Sequence, residues 1–391
     1  MSEWKEYALK KVIEKFIDYR GKTPKKSSSG IPLITAKIVK SGKIIEPTEF
    51  ILEEDYDLWM TRGFPRVNDV VLTTEAPLGE IALIKDAHVA LGQRLITLRG
   101  IPSIVHNPFL KYYFQSSVGQ HELQSRASGT TVFGIKASVL REVPILLPPL
   151  PEQEAIATVL SSLDDKIDLL HRQNETLEAM AETLFRLWFI EEAQADWEER
   201  KITDLFEIRD GTHDSPKQSH IGKPLITSKH IGTNRLDFKN AYLISDEDFR
   251  SVNKRSKVDT NDILFSMIGT IGLSHLVLSN TVDYAIKNIG LFKTSQNSAW
   301  RYYIFLWINS LFGRDFIHEH RSGSTQEYIS LGSLRSIILH SPPQKLLAEF
   351  NLIVDPVFRS IEHNMSQVIT LEKLRNTLLP KLMSGRLRIE G

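Results

Sequence analysis

The chain has 391 residues, of which 41% are hydrophobic and 25% charged, and its 48 basic and 48 acidic residues leave a formal net charge of zero. This length accommodates two or three ordinary domains, each able to bury its own core. The absence of cysteine excludes disulfides and thiolate metal sites. Because the sequence shows neither an apolar signal-peptide core nor an apolar run of membrane-spanning length, we expect a cytoplasmic protein with no membrane partner.

Residues 1–150 combine strand and helix patterns. Short apolar runs predict strands at residues 31–39, 70–72, 81–84, 95–98 and 143–147. A long aromatic segment, residues 107–124, has helical spacing, and Asn107-Pro108 is a typical helix start. We expect its tyrosines and phenylalanines to lie in a core rather than to stack on bases. The sequence therefore predicts an α+β domain.

A long helix is predicted to follow this domain. Pro151-Glu152-Gln153-Glu154 places proline at the first helical position and acids in the first turn, where the helix dipole favours negative charge. A seven-residue apolar repeat continues from there to Trp188, interrupted by Asn174. The residues expected to pack against a partner helix are Leu163, Ile167, Leu170, Leu177 and Leu184.

The whole unit then occurs a second time, offset by roughly 193 residues. The segments EWK (3–5), PLITAK (32–37), NDVVL (68–72), SGTT (128–131) and LPP (147–149) recur as DWE (196–198), PLITSK (224–229), NDILF (261–265), SGST (322–325) and SPP (341–343). We therefore divide the chain into a first domain (1–150), a first spacer helix (151–192), a second domain (193–343), and a second spacer helix with a C-terminal tail (344–391).

The second helix carries the same apolar register, and its expected packing residues are Val357, Ile361, Val368, Leu371 and Leu378. Pro356 predicts a kink or a division near its start. Connectivity makes the two helices antiparallel if they pack on each other, and 25 to 30 helical residues would hold the domains roughly 40 Å apart, about one turn of B-form DNA. The alternative is a helical hairpin that only stabilises a dimer or docks a partner.

Charge is unevenly distributed along the chain. Residues 1–150 and 200–343 each have a net charge of +4, whereas residues 151–199 have a net charge of −10. Mildly basic domains on an acidic connector are typical of domains that contact a polyanion. Ordinary surface variation is the alternative for domains that are only this basic.

Sequence motifs of catalysis are incomplete. Gly21-Lys22-Thr23 lacks the earlier glycine of a phosphate-binding loop. Asn107-Pro108-Phe109 lacks the second proline of the Asn/Asp-Pro-Pro-aromatic motif of methyltransferases that act on amino groups. His318-Glu319-His320 offers two ligands that do not share a helix face, and no third. We therefore expect neither catalytic residues nor a metal site.

The duplicated domain, the PPLPEQ helix start at residues 148–153, DGTH at 210–213, SGTT at 128–131 and the acidic heptad helix together resemble the specificity subunit of type I restriction-modification enzymes. The resemblance covers nearly the whole chain, although SPPQK at 341–345 lacks the usual Glu-Gln pair. It implies two target recognition domains, each reading one half of a split double-stranded DNA site. It also implies two modification subunits that use S-adenosylmethionine and restriction subunits that use ATP and Mg²⁺, so this chain itself would need no cofactor.

Basic, amide and hydroxyl side chains near the paired landmarks are the candidates for DNA contact, because Arg and Lys bind phosphate or guanine and Gln or Asn bind adenine. They are Lys22, Lys25, Lys37, Arg94, Arg126, Thr130 and Thr131 in the first domain, and Lys217, Lys229, Lys287, Asn288, Arg321, Ser324, Thr325 and Gln326 in the second. The basic tract at 19–30 and its counterpart would look the same as solvated linkers. The competing function is a two-headed protein-interaction adaptor without DNA specificity.

Overall fold

The computed structural model describes residues 4–129, 132–194, 196–232 and 235–389. The chain forms two compact units, the first made of residues 1–167 with 370–391 and the second of residues 168–369. Each unit therefore contains one sequence repeat together with parts of both long helices. Within the described ranges, no helix is both long and apolar enough to cross a membrane.

The first repeat contains eleven strands, four α-helices and one short 3-10 helix (Leu9–Lys11) among its described residues. The strands are β1 (Lys5–Ala8), β2 (Ile13–Asp18), β3 (Ile31–Ile34), β4 (Val39–Lys40), β5 (Lys43–Ile44), β6 (Phe50–Ile51), β7 (Val70–Thr74), β8 (Leu78–Leu83), β9 (Ala90–Leu91), β10 (Leu95–Gly100) and β11 (Pro144–Leu147). The helices are α1 (Glu53–Trp59), α2 (Asn107–Gln115), α3 (Ser117–Gln124) and α4 (Ala137–Arg141), and the long helix α5 (Leu150–Arg186) follows.

The second repeat has a matching set of elements. Its strands are β12 (Glu199–Lys201), β13 (Ile208–Asp210), β14 (Lys223–Thr227), β15 (Ile231–Gly232), β16 (Arg235–Leu236), β17 (Leu243–Ile244), β18 (Ile263–Ser266), β19 (Ser274–Leu276), β20 (Ala285–Lys287), β21 (Ile289–Phe292), β22 (Arg321–Ser322), β23 (Tyr328–Ile329) and β24 (Ile338–His340). Its helices are α6 (Asp246–Ser256), α7 (Arg301–Asn309), α8 (Leu311–Glu319) and α9 (Leu331–Arg335), and the second long helix is α10 (Gln344–Met383).

Sheet topology is the same in both repeats. A four-stranded antiparallel sheet has the order β2-β10-β7-β8 in the first repeat and β13-β21-β18-β19 in the second. A three-stranded mixed sheet has the order β6-β3-β9 and β17-β14-β20, with β3 parallel to β9 and β14 parallel to β20. The predicted tandem repeat of two α+β domains is therefore confirmed.

Two predicted elements are divided in the structure. The strand expected at residues 31–39 is two short strands, β3 and β4, separated by a turn. The helix expected at residues 107–124 is two helices, because Ser116 leaves helical conformation and its hydroxyl accepts a hydrogen bond from the Gly119 amide, capping α3. Ser310 caps α8 in the second repeat through the same contact with Gly313.

The aromatic side chains of this segment are core residues, as predicted. Phe109 and Phe114 are fully buried, and Tyr112 and Tyr113 are 2% exposed. They pack with β-sheet residues and with Ile156 and Leu160 of α5 in one apolar cluster. The start of the long helix is therefore part of the core of the first unit.

The two long helices are antiparallel within each unit. In the second unit, Trp188 and Phe189 lie in a π-helical turn (Leu187–Glu191) that continues α5, and they contact Phe350 near the start of α10. Earlier along α5, Asn174 contacts Ile361, so the partner number falls as the α5 number rises. In the first unit, Asp164 contacts Arg375 and Glu152 contacts Arg388 in the same sense.

Pro356 does not divide α10, so the predicted division was wrong. The helix runs without interruption from Gln344 to Met383. Proline has no N–H, so Pro356 cannot donate a hydrogen bond to the Leu352 carbonyl. Because Pro356 and Leu352 are both exposed, that carbonyl lies on the solvent side of the helix. The proline carbonyl itself accepts a hydrogen bond from Ser360 Oγ at 2.8 Å.

The predicted packing residues of the long helices are buried or half-buried. Ile167, Leu170, Ile361 and Val368 are at most 6% exposed, whereas the half-buried residues are Leu163, Leu177, Leu184, Val357, Leu371 and Leu378. The seven-residue pattern predicts a second row on α10 that passes through Val357 and Asn364. The buried residues next to these positions are instead Phe358 and Met365. Asn364 is used differently: its amide donates to Asn174 Oδ1 at 2.8 Å, so the polar interruptions of the two apolar rows pair with each other.

A carboxylate anchors each repeat to its helices. In the first unit, Asp164 of α5 accepts hydrogen bonds from Lys111 (3.0 Å), Tyr112 (2.7 Å) and Arg375 (2.9 Å). Burial opposes the charge of Asp164, but Lys111 and the hydrogen bonds from Arg375 and Tyr112 outweigh it and hold the pKa of Asp164 below its usual value. Asp355 of α10 makes the equivalent contacts in the second unit, with Arg301, Tyr302 and Arg359.

Candidate nucleic-acid interface

Several loops converge at one end of the four-stranded sheet in the first repeat. Antiparallel pairing of Asp18 with Ile96 and of Thr73 with Leu95 places the ends of β2 and β7 beside the start of β10. The first loop face comprises the tract 19–30, the turns 75–77 and 92–94, and the hairpin that is closed between Ser128 and Gly134.

Side chains and backbone connect these loops. Gln93 Nε2 donates to Thr23 Oγ1 at 2.6 Å and also to the Lys22 carbonyl, which holds the basic tract against the turn 92–94. Arg94 Nε lies 3.4 Å from Glu75 Oε1. Glu75 in turn forms a backbone bridge with Gly134 of the hairpin. The four segments therefore form one continuous surface.

A charged cluster supports the base of this surface. Arg20 makes a bidentate contact with Asp18, and Arg62 donates to the Asp18 carbonyl. Burial works against ionisation of Asp18, but hydrogen bonds from Arg20 and the charges of Arg20 and Arg62 keep the pKa of this carboxyl below its usual range. Asp18 is therefore ionised at neutral pH and fixes the direction in which the basic tract leaves the sheet.

The second repeat presents an equivalent surface. The second loop face comprises the tract 211–222, the turn 267–273, the turn at Lys287-Asn288 and the hairpin formed by β22 and β23. His213 Nδ1 lies 2.9 Å from Asn288 Oδ1, and its Nε2 lies 2.8 Å from Asp210 Oδ2. Arg255 binds the other oxygen of Asp210 at 2.5 Å. His213 therefore connects the tract 211–222 to the turn at Asn288. Gln93 connects the tract 19–30 to the turn 92–94 in the first repeat.

Arg94 and Asn288 share an unusual backbone conformation. Their φ angles are +63° and +52°, in the left-handed region that few residues other than glycine adopt. Arg94 directly precedes the inner strand β10, and Asn288 directly precedes the equivalent strand β21. Such conformations cost about 1–3 kcal/mol and are concentrated at functional sites. On the loop faces, Arg94 contacts Glu75 and Asn288 contacts His213.

Of the predicted residues of the first domain, the structure places Lys22, Lys25 and Arg94 on the first loop face. Lys22 and Lys25 are exposed and form no ion pair with any residue in the described ranges. Lys37 Nζ lies 3.6 Å from Glu49, which also binds Lys26. Arg126 stands at the foot of the hairpin and is paired with Glu122. Thr130 and Thr131 lie outside the described residues.

The predicted residues of the second domain lie at three places: near the turn at Asn288, on the hairpin formed by β22 and β23, and in the tract 211–222. Lys229 is exposed and adjoins Ser228, whose hydroxyl donates to the Asn288 carbonyl at 3.0 Å, while Lys287 Nζ donates to Ser215 Oγ. The hairpin carries the exposed residues Arg321, Ser324, Thr325 and Gln326, and Arg321 pairs with Glu327 at 3.3 Å. Lys217 is exposed in the tract.

Most of these ion pairs lie on the surface, where phosphate groups can compete for the cation. Side chains of Arg94, Glu75 and Lys37 are 45–79% exposed. Exposed pairs are worth only about 0–1 kcal/mol. Exchange of a surface carboxylate for a DNA phosphate therefore costs little, and the predicted residues can act as phosphate contacts.

Gln93, Glu75 and the contacts of Arg62 with Asp18 and of Arg255 with Asp210 were not predicted from the sequence. A usable signal existed, because Asp18 and Asp210 are 192 residues apart and Arg62 and Arg255 are 193 apart, close to the repeat offset. No group of three or more His, Asp or Glu side chains is placed to hold a metal ion among the residues that the structure describes.

Comparison with known proteins shows the family of this chain. The family model of the type I restriction modification DNA specificity domain matches residues 1–179 and again residues 194–371. The chain belongs to this family. The two matched segments correspond to the two sequence repeats.

The type I restriction enzyme MjaIX specificity subunit of Methanocaldococcus jannaschii is 28% identical over 84% of this chain and 79% of that protein. The EcoKI specificity subunit of Escherichia coli K12 is 23% identical over 71% of this chain and 63% of its own length. The crystal structure of the type I restriction-modification S subunit from M. genitalium has the same fold, with a TM-score of 0.61 at 16% identity, covering 97% of this chain and 96% of that one.

Proposed function

We propose that this chain is the sequence-recognition subunit of a type I restriction-modification complex and that each repeat reads one half of a split double-stranded DNA site. The observation that carries the proposal is the pair of equivalent loop faces, one per repeat, each with exposed cations around a residue held at positive φ. A membership in the DNA specificity family supports it.

Each loop face would make two kinds of DNA contact, one with phosphates and one with base edges. Lys22, Lys25, Lys217 and Lys229 would bind phosphates and position the duplex. Arg94, Asn288 and Gln326 have the forked or amide geometry that binds the edges of guanine or adenine in the major groove. The remaining predicted residues, Lys37, Arg126, Thr130, Thr131, Lys287, Arg321, Ser324 and Thr325, complete the proposed surface.

The long helices would set the spacing between half-sites and hold the other subunits. We propose two modification subunits that use S-adenosylmethionine and restriction subunits that use ATP and Mg²⁺, so that methylation and cleavage take place outside this chain. The exposed carboxylates Glu175 and Glu182 of α5 offer basic partner surfaces a contact. Reversal of these charges should weaken assembly with the modification subunits, and unchanged assembly would contradict this contact.

The test is binding of the complex with its modification subunits to a duplex that contains the mapped split site, compared with a scrambled duplex at fixed salt. We expect preference for the split site of at least a hundredfold and a steep fall in affinity with salt, since phosphate neutralisation releases counterions. A protein-interaction adaptor would show neither. Equal binding of both duplexes would overturn the proposal.

A further inference from the structure

Two adjacent large apolar side chains, which we call the hairpin tip, stand exposed directly before Gly134, the residue that closes the hairpin of the first loop face against Ser128. Val132 is 51% exposed and Phe133 is 63% exposed. The corresponding positions of the second repeat, at an offset of 194 residues, are the exposed polar residues Gln326 and Glu327. The repeats therefore share the hairpin but differ in the chemistry of its tip.

The hairpin holds this tip in a defined position. Ser128 and Gly134 exchange backbone hydrogen bonds of 2.9 and 3.0 Å. Gly129 has a φ of +129°, and a Cβ there would lie 2.1 Å from the Val132 carbonyl oxygen, so the tight turn requires glycine. Gly323 closes the second hairpin in the same way against Gln326. The exposure of Val132 and Phe133 is thus imposed by the local fold.

The surroundings of the tip indicate what covers it. Gly134 is bridged to Glu75, which adjoins Arg94, and the basic tract at Lys22 is held to the same turn through Gln93. Cations beside the hairpin favour a polyanionic partner. Phosphates can bind those cations while the projecting tip reaches into a groove.

A duplex offers apolar side chains one distinctive group in the major groove, which is the C5-methyl of thymine. We propose that Val132 and Phe133 contact a thymine methyl group in the half-site read by the first repeat, whereas the tip of the second repeat reads polar base edges through Gln326. This inference rests on the proposed function. It assigns a specificity role to two residues whose type would otherwise place them in a core.

Replacement of each thymine in the first half-site by deoxyuridine, one position at a time, tests the contact, because uracil lacks only the methyl group. With the complete complex, we expect one position at which uracil weakens binding about three- to fivefold, the loss that corresponds to one buried methyl group. The Val132→Ser/Phe133→Ser variant should bind the thymine and uracil duplexes equally. Because both side chains are exposed, this variant should fold normally.

A matched control is the Leu311→Ser/Phe312→Ser variant, which removes two adjacent apolar residues, 74% and 55% exposed, outside the loop face segments. It should keep the discrimination between thymine and uracil. The inference is overturned if no uracil in the first half-site weakens binding, or if the Val132→Ser/Phe133→Ser variant still discriminates. Failure of the proposed function would instead appear as equal binding of split-site and scrambled duplexes.

Discussion

Removal of the charge at Asp164 should selectively destabilise the first unit. Asp164 is 16% exposed and Lys111 only 9%, so the Asp164→Asn variant leaves a buried ammonium group without its carboxylate. Breaking a buried pair costs about 3–5 kcal/mol, and because asparagine can still accept from Tyr112 we expect about 2–4 kcal/mol. For a unit of this size, that lowers the transition temperature by roughly 4–16 °C.

The assay is differential scanning calorimetry, with hydrogen exchange by mass spectrometry to assign each transition to a unit. Asp355→Asn is the matched control in the second repeat. Asp355 itself is 27% exposed and its partner Arg359 is 58% exposed, although its other cationic partner, Arg301, is only 15% exposed, so we expect a smaller loss of about 1–2 kcal/mol. A loss below about 1 kcal/mol for Asp164→Asn, or equal losses for the two variants, would refute the assignment of Asp164 as an anchor.

Three further outcomes follow from the same structure. Because the pKa of Asp164 is held below its unfolded value, its contribution to stability is present above about pH 4 and is lost as pH falls through the folded pKa, so acid unfolding of the first unit should be shallower in Asp164→Asn. The Asp69→Asn variant, which removes the carboxylate that binds Arg99 at 2.7 Å in a nearly fully buried pair, should lose about 3–5 kcal/mol by thermal unfolding, and a loss within error of zero would contradict the pairing. Lys22→Ala should reduce the slope of log affinity against log salt by about 1 on specific and scrambled DNA alike, and an effect confined to the specific site would show that Lys22 reads a base.

The architecture could be predicted because it depends on patterns that are local or periodic. The repeat is visible as recurring segments, and the long helices follow from their seven-residue apolar period and from the acidic first turn at Glu152. The breaks at Ser116 and Ser310 were not predicted, although each serine is a local N-cap that recurs in both repeats, because the continuous aromatic pattern favours one helix. A Cβ at Gly119 would lie 2.2 Å from the Tyr113 carbonyl oxygen, so the chain turns back closely there.

The candidate site was predictable in part. Basic residues in loops beside repeated landmarks identified Lys22, Arg94 and Asn288, and the structure places them on equivalent surfaces. Val132 and Phe133 were not identified, because an apolar pair in a sequence is more typical of a core than of an exposed tip. Exposure of such residues is a tertiary property, and only the hairpin geometry reveals it.

The proposal that helix length sets the spacing of half-sites is tested most directly by inserting one heptad into each long helix, at Leu170 of α5 and at Val368 of α10, and by mapping methylated adenines in cells that carry the native or the extended chain. Seven helical residues add about 10 Å, or roughly three base pairs of B-form DNA. We predict that the extended chain directs methylation to the same two half-sites with a gap about three base pairs longer. The same half-sites at an unchanged gap would contradict the account.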